Sequence, residues 1–212
     1  CTTVWCTTTM KAAVIDPGGS VDAILGEVAR RGLTLDQIWI THGHLDHAGG
    51  AAEMAEKSGA PIIGPHPDDQ FWIDGIKAQG QMYGLPEARG FIPTRWLDEG
   101  DELTLGETRW AVRHCPGHTP GHVIFFNEAA RFAQVGDVLF KGSVGRTDFP
   151  RSDPAALIRS VIDKLWPLGD DVTFVPGHGP HSTFGEERRS YPFVSDRAVA
   201  GTPPVRAASG PS

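Results

Sequence analysis

Short apolar runs alternate along the chain with segments in which apolar residues recur every three or four positions. The short runs predict strands, and the longer periodic segments predict helices. Ser20 and Asp153 precede two of the periodic segments and are expected to cap those helices. The predicted strands lie at residues 2–5, 11–15, 37–40, 61–64, 103–105, 109–114, 122–126, 132–135 and 171–175, and the predicted helices at 21–31, 51–57, 68–79, 154–165 and 185–189.

Strands with helices between and after them favour one layered α/β domain, and neither a linker nor a fixed-period repeat interrupts the pattern. We expect this single domain to span residues 1–197. Strand-like residues follow Cys1 directly, so the first strand is expected to be truncated at the N-terminus. Residues 198–212 are rich in Ala, Gly, Pro and Ser without apolar periodicity, which predicts a disordered tail.

Composition narrows the class of protein further. With 19 Lys and Arg against 26 Asp and Glu, the formal net charge of −7 argues against nucleic acid as a partner. A membrane span is not expected, because no run approaches the roughly 20 apolar residues that a spanning helix needs. The three cysteines are irregularly spaced, which predicts a reducing, cytoplasmic setting. A monomer and a small homo-oligomer both remain open.

Four predicted strands end in clusters of histidine and aspartate. Because ligands of open α/β sheets gather beyond the carboxyl ends of strands, these clusters are expected to form one site. Seven imidazole and carboxylate ligands are too many for one tetrahedral ion and suit two ions, with zinc, iron or manganese favoured over calcium or magnesium. The candidate metal ligands are His42, His44, Asp46, His47, His118, Asp137 and His178.

Other reactive side chains have plainer interpretations. Asp16 precedes a proline, and a turn-stabilising role is at least as well supported as a role behind the metal ligands. His122 could support a ligand or simply pack. Cys115 is expected to be a small buried thiol rather than a nucleophile. Surface or core positions without chemistry are expected for His66, His114 and His181.

The Thr-His-Gly-His-Leu-Asp-His stretch at 41–47, followed in order by His118, Asp137 and His178, resembles the metallo-β-lactamase superfamily. Within it, the chain resembles the compact bacterial type II glyoxalases, the hydroxyacylglutathione hydrolases, over about residues 1–193. The stretches that carry this closer resemblance are 116–122, 136–142, 145–150 and 175–180.

The resemblance implies a four-layer αβ/βα sandwich with the site at one edge of two packed sheets. It also implies how the ligands divide between two divalent metal ions. Asp137 would bridge the ions, and an aspartate at this position is unlike the β-lactamases. Metal 1 would be held by His42, His44 and His118, and metal 2 by Asp46, His47 and His178.

The implied activity is hydrolysis of a thioester, most simply S-lactoylglutathione or another S-(2-hydroxyacyl)glutathione. A water activated by the metals would be the nucleophile, so no catalytic residue is expected outside the ligand set. Arg146 and Lys141 are the candidate substrate-binding cations. Only 34 residues of the sequence follow His178, so we expect no counterpart within them of the C-terminal helical domain with which larger type II glyoxalases grip glutathione.

A second activity is compatible with much of the same pattern. Persulfide dioxygenases share the fold and a stretch similar to residues 145–149, and they hold one iron through residues that match His42, His118 and Asp137. The Pro-Gly-His-Gly-Pro stretch at 176–180 favours the hydrolase, because the dioxygenases tend to have Pro-Ala-His there.

Overall fold

The computed structural model describes residues 1–190 and Val194. The tail predicted at 198–212 therefore lies outside the described residues. The strands are β1 (Thr2–Trp5), β2 (Lys11–Ile15), β3 (Thr34–Trp39), β4 (Ile62–Ile63), β5 (Glu102–Leu105), β6 (Thr108–His114), β7 (Val123–Asn127), β8 (Phe132–Gly136), β9 (Leu139–Phe140), β10 (Ser143–Val144), β11 (Thr173–Pro176) and β12 (Ser182–Thr183). The α-helices are α1 (Val21–Arg30), α2 (Leu45–Ala48), α3 (Ala51–Ser58), α4 (Gln70–Met82), α5 (Pro154–Ser160) and α6 (Phe184–Ser190).

The strands form two main sheets, the first from the N-terminal part of the sequence and the second from the C-terminal part. The first sheet has the order β1-β2-β3-β4, in which β2, β3 and β4 are parallel and β1 is antiparallel. The second has the order β12-β11-β8-β7-β6-β5 and is antiparallel except for the β8–β11 pair. A separate hairpin pairs β9 with β10.

Side chains alternate between two environments along the first sheet. On β2, Ala13 and Ile15 enter the apolar cluster that lies between the sheets, whereas Ala12 and Val14 enter a cluster with residues of α1, α3 and α4. Both sets are buried, so β2 appears in the sequence as an unbroken apolar run. The first sheet is therefore covered by helices on one face and by the second sheet on the other.

The second sheet repeats this arrangement. On β7, Val123 and Phe125 join the cluster between the sheets, while Ile124 and Phe126 pack in a cluster with residues of α5 and α6. A π-helical segment, Val161–Leu165, continues α5 and contributes to the same cluster. The order of layers is helix, sheet, sheet, helix, which confirms the predicted four-layer sandwich.

One edge of the sandwich collects the functional loops. Strand β3 runs into the 41–47 stretch, and β6, β8 and β11 run in one direction and are followed by His118, Asp137 and His178.

The structure tests both predicted helix caps. The Asp153 cap is confirmed, because its side chain accepts hydrogen bonds from two backbone N–H groups of α5. The prediction that the Ser20 side chain caps α1 is wrong, since Ser20 has φ 52° and its side chain makes no hydrogen bond to the start of the helix. Over the described residues, we find no helix of the length and apolarity that crossing a membrane requires.

Candidate metal centre

A chain of hydrogen bonds begins at Asp16 and fixes the orientation of His42. The buried Asp16 carboxylate accepts from the backbone N–H and the hydroxyl of Thr41, each at 2.7 Å. Because the Thr41 hydroxyl already donates its hydrogen bond to Asp16, its oxygen accepts from the Nδ1–H of His42 at 3.0 Å. His42 therefore presents the lone pair of Nε2, which has no hydrogen-bond partner among the described residues.

Asp16 also orients a second imidazole. Its Oδ2 accepts from His47 Nδ1 at 3.0 Å, which leaves His47 Nε2 to face the site. Nε2 lies 3.2 Å from Nε2 of His178 and 3.4 Å from Oδ1 of Asp137. Asp16 thus stands behind two candidate ligands at once, so the supporting role has structural evidence.

His118 is held by a backbone carbonyl from a distant part of the chain. Its Nδ1–H donates to the carbonyl oxygen of Arg146 at 2.8 Å, so Nε2 points inward. That nitrogen lies 3.0 Å from Nδ1 of His44. Nitrogens of His42, His44 and His118 all come within 4.8 Å of one another, as three ligands around one ion would.

The Asp137 carboxylate lies between two groups of imidazoles. Its Oδ2 is 3.5 Å from His118 Nε2 and 3.6 Å from His178 Nε2, while Oδ1 is 3.4 Å from His47 Nε2. His178 is also 3.1 Å from Asp46, and the cluster Asp46, His47 and His178 forms a second group within 4.8 Å. The structure therefore brings all seven predicted ligands together, in two sets with Asp137 in the middle.

Two glycines make room for this arrangement. A Cβ atom on Gly177 would come 2.1 Å from Asp137 Oδ1 and 2.5 Å from the ring of His47. Gly136 has φ 50°, and a Cβ atom there would be 2.6 Å from both His122 Nε2 and Thr41 Oγ1. The strand-ending glycines thus let β8 and β11 approach the ligands as closely as they do.

Burial determines the protonation preference of the first set of ligands. It lowers the pKa of His44 to about 3 and that of His42 well below its usual range, and nearby imidazoles lower both further. Burial also lowers the pKa of His118. These three imidazoles are neutral at pH 7, which is the form that binds a metal ion.

In the second set of ligands, Asp46, His47 and His178, the surroundings of His47 favour its protonated form. Burial opposes the charged form of His47, but the hydrogen bond to Asp16 and the nearby Asp16 and Asp137 charges raise its pKa to about 9. Burial raises the pKa of Asp137. Carboxylates therefore surround His47 and favour positive charge at that position.

The donor chemistry fits divalent cations. Among the described residues, the buried atoms without a hydrogen-bond partner include two that face the centre, His42 Nε2 and Asp137 Oδ1. Leaving such atoms unpaired in the interior is costly, and each belongs to a group that can ligate a metal. Imidazole nitrogens together with carboxylate oxygens suit zinc, iron or manganese. Each His with a hydrogen-bonded second nitrogen also has the support typical of metal ligands.

The predicted substrate cations lie in different places. Arg146 lines the cavity of about 240 Å³ over the centre, where its exposed guanidinium pairs with Asp148 at 2.7 Å and lies over the ring of Phe149. Lys141 follows Phe140, which also lines this cavity, but its ammonium lies 3.6 Å from Glu186. The structure thus brings Arg146 to the rim and places Lys141 beside it.

The remaining candidates largely follow expectation. Cys115 is buried, and burial raises its pKa to about 12, as expected of an inert thiol. His122 stacks on His42 at 4.6 Å, and its Nε2 accepts the backbone N–H of Asp137 at 3.0 Å, so it supports the centre as well as packing. His66 and His114 stack on each other at 4.1 Å, and His181 is exposed.

Sequence reasoning missed Asp69. Its buried carboxylate accepts from the N–H of Gly43, the N–H of Gly121 and the hydroxyl of Thr119, at 2.6–2.8 Å. It therefore ties the loop of His42 and His44 to the loop of His118. The only signal in the sequence was a pair of aspartates at the start of a predicted helix, which usually indicates nothing more than a favourable helix dipole interaction.

Comparisons with known proteins agree with this geometry. Hydroxyacylglutathione hydrolase GloC from Haemophilus influenzae is 41% identical over 199 residues, with 93% of each chain covered. The crystal structure of BLEG-1 B3 metallo-beta-lactamase matches with a TM-score of 0.82 and 30% identity, over 91% of this chain and 92% of that one. The structure of TTHA1623 in a di-iron-bound form has a TM-score of 0.77 and 37% identity, over 86% and 88% of the two chains.

The family model of the metallo-beta-lactamase superfamily matches residues 1–178, a range that begins before β1 and ends at the last of the seven candidate ligands. Together with the sandwich and the two groups of ligands at its edge, this match places the chain in the metallo-beta-lactamase superfamily.

Proposed function

We propose that this protein is a dinuclear metallohydrolase that cleaves S-(2-hydroxyacyl)glutathione, such as S-lactoylglutathione, to glutathione and the hydroxy acid. The observation that carries the proposal is the pairing of two ligand groups around the single carboxylate of Asp137. Support for the substrate comes from the 41% identity to a hydroxyacylglutathione hydrolase over nearly the whole chain. Support for two metals comes from the 37% identity to a protein whose structure holds two iron ions.

In the proposed assignment, His42, His44 and His118 hold metal 1, and Asp46, His47 and His178 hold metal 2. Asp137 is shared. When bound, two divalent ions would supply Lewis-acid activation of water and positive charge near the thioester carbonyl. Zinc is our first choice, with iron and manganese as alternatives that the same ligands accept.

The chain's own residues provide orientation for this chemistry. Asp16 and Thr41 hold His47 and His42 with Nε2 facing the site, and the Arg146 carbonyl does the same for His118. The reaction adds water across the thioester bond, giving a carboxylate and a thiol. A thiolate whose conjugate acid has a pKa of about 8.5 leaves without strong acid assistance, so no general acid is required of the protein.

We propose a cytoplasmic location, and the charge of the substrate agrees with the proposed function. All three cysteines are free thiols, as expected of a cytoplasmic enzyme. Glutathione thioesters carry net negative charge, and Arg146 at the rim and the half-exposed Lys141 beside it are the cations that we propose to meet them.

The decisive experiment compares His178→Ala with His181→Ala. His178 is a proposed ligand whose side chain is 56% exposed, so its removal should leave the fold intact. We expect His178→Ala to bind one ion fewer and to lose on the order of 100-fold in turnover of S-lactoylglutathione, the scale of losing one electrostatic stabiliser. His181 is exposed and lies three residues further on, and its replacement should change neither metal content nor turnover.

The same variants test the persulfide dioxygenase alternative. A single iron on His42, His118 and Asp137 would not need His178. Unchanged metal content in His178→Ala, with oxygen uptake on glutathione persulfide in both variants, would therefore contradict the dinuclear hydrolase and favour the dioxygenase.

A further inference from the structure

An apolar cavity of about 440 Å³ opens beside the candidate metal centre, within the size range of small-molecule sites. Helix α4 and the residues after it form one wall, and the loop that follows β10 forms another. The side chains that give the cavity its character are Leu45, Trp72, Gln79, Tyr83, Leu85 and Phe149.

This cavity adjoins the space over the ligands. His44, Asp46, Arg146 and Phe149 line both the apolar cavity and the cavity of about 240 Å³ that contains Asp137. A molecule whose reacting carbon lies at the centre therefore has the apolar cavity within reach of a substituent on the next carbon.

The walls nearest the centre are held firmly. Trp72 is buried and lies edge-on to the ring of His44 at 4.4 Å, and Phe149 lies 4.9 Å from the same ring. Ile73 and Ile76 on the opposite side of α4 are fully buried in the core. The core packing of α4 therefore fixes the position of the Trp72 surface.

Charge argues against a glutathione moiety in this cavity. Among the described residues, its one lining cation is Arg146, whose guanidinium is already paired with Asp148, and Asp46 adds a carboxylate. Glutathione would bring two carboxylates and an ammonium group into a mostly apolar space. The space over the centre, which Arg146 also lines and where Phe140 is followed by the half-exposed Lys141, suits a charged tripeptide better.

We propose that the apolar cavity receives the acyl substituent and that the preferred substrates are thioesters whose 2-hydroxyacyl group carries an aromatic or branched apolar side chain. This inference rests on the proposed thioester hydrolase function and specifies its substrate class. A lactoyl group presents only a methyl to the cavity, so it would leave the Trp72 and Phe149 surfaces without contact. Burying a phenyl group there gains affinity that the methyl group cannot supply.

The test compares S-mandeloylglutathione, which carries a phenyl group, with S-lactoylglutathione on the zinc-loaded protein. We expect kcat/KM to be at least about tenfold higher for the mandeloyl thioester, since even one methylene in an apolar pocket is worth that much. Gln79→Trp should fill the cavity and lower the mandeloyl-to-lactoyl ratio at least about tenfold. Gln81→Trp, on the same helix but exposed and outside the lining, is the matched control and should keep the ratio.

The outcomes separate the two proposals. Turnover of both thioesters at equal efficiency, or a ratio that Gln79→Trp leaves unchanged in a folded variant, would overturn the acyl cavity and leave the hydrolase standing. Turnover of neither thioester would overturn the hydrolase and the acyl cavity together.

Discussion

Single oxygen atoms decide which imidazole nitrogen is free to bind a cation in this centre. Asp16 accepts from three donors, and two of these contacts determine which ring nitrogen of His42 and of His47 faces the centre. Asp16 itself adopts φ 54°, a region that non-glycine residues seldom occupy, directly before Pro17. This turn therefore places the Asp16 carboxylate in the interior, where it orients candidate metal ligands in addition to any role in the turn.

We expect Asp16→Asn to weaken zinc binding about 10- to 100-fold, the usual cost of removing a group that orients ligands. An amide offers one acceptor oxygen to donors that now share two. Competition titration with a chromophoric chelator measures the change. Asp22→Asn is the control, because the Asp22 side chain is 82% exposed on α1. Equal zinc affinity in the two variants would contradict the role given to Asp16.

Arg146 contributes to the centre through two different groups. Its backbone carbonyl orients His118, while its side chain lies at the rim. Alanine at this position keeps the carbonyl and removes only the cation, which leaves the Asp148 charge unopposed. We expect KM for the glutathione thioester to rise about tenfold and kcat to fall less, as loss of uniform binding predicts. Arg159→Ala on α5 is the control, and a KM unchanged by Arg146→Ala would reduce Arg146 to a surface cation.

At the scale of elements, the Asp69 side chain links three segments next to the site by hydrogen bonds, and Asp69 itself directly precedes α4. It connects α4, the loop after β3 and the loop before β7, whose backbone N–H groups would otherwise be buried without partners. The contact spans 26 residues in one direction and 52 in the other. Local sequence patterns contain no trace of such a contact, so Asp69 could not have been found without the fold.

We expect Asp69→Ala to lower the free energy of unfolding by at least about 2 kcal/mol, because three donors lose their acceptor in the interior. Urea denaturation of the metal-free protein measures this without interference from ligand binding. Asp68→Ala is the neighbouring control, with a side chain that is 60% exposed. Coincident unfolding curves for the two variants would show that the network is dispensable.

The two predicted helix caps provide a matched pair. Asp153 accepts from the N–H groups of Ala155 and Ala156, whereas Ser20 makes no side-chain cap bond. Asp153→Ala should therefore cost about 1 kcal/mol of stability, and Ser20→Ala should stay within about 0.5 kcal/mol. Urea midpoints compared with the parent protein measure both. A Ser20→Ala effect as large as that of Asp153→Ala would contradict the capping assignment.

Across the whole molecule, the periodic segments and the ends of strands were predictable from sequence, because both depend on neighbouring residues. The four strands that end in His or Asp were found in this way, and the fold confirms that they share one edge. The β9–β10 hairpin and α2 were missed because elements of two to four residues have no periodicity to detect. The Arg146 carbonyl behind His118 was missed because every residue carries the same carbonyl.

The proposed ligands come from both halves of the sandwich, so metal binding should stabilise the entire fold. Four follow β3 of the first sheet, and His118, Asp137 and His178 follow strands of the second. Bound ions would cross-link the two sheets at the edge where they meet, and they would bind the folded state far better than an unfolded chain in which the ligands are dispersed.

At free zinc about 100-fold above the dissociation constant of each site, binding to the native state adds about 2.7 kcal/mol per ion. For a chain of this size, each bound ion should raise Tm by roughly 5–10 °C over the chelator-treated protein. Calorimetry measures the shift, and elemental analysis of the same sample should approach two ions per chain. Magnesium is the matched control, because this imidazole-rich ligand set disfavours it and the shift should be small. A shift as large with magnesium, or saturation at one zinc per chain, would contradict a dinuclear centre that joins the two sheets.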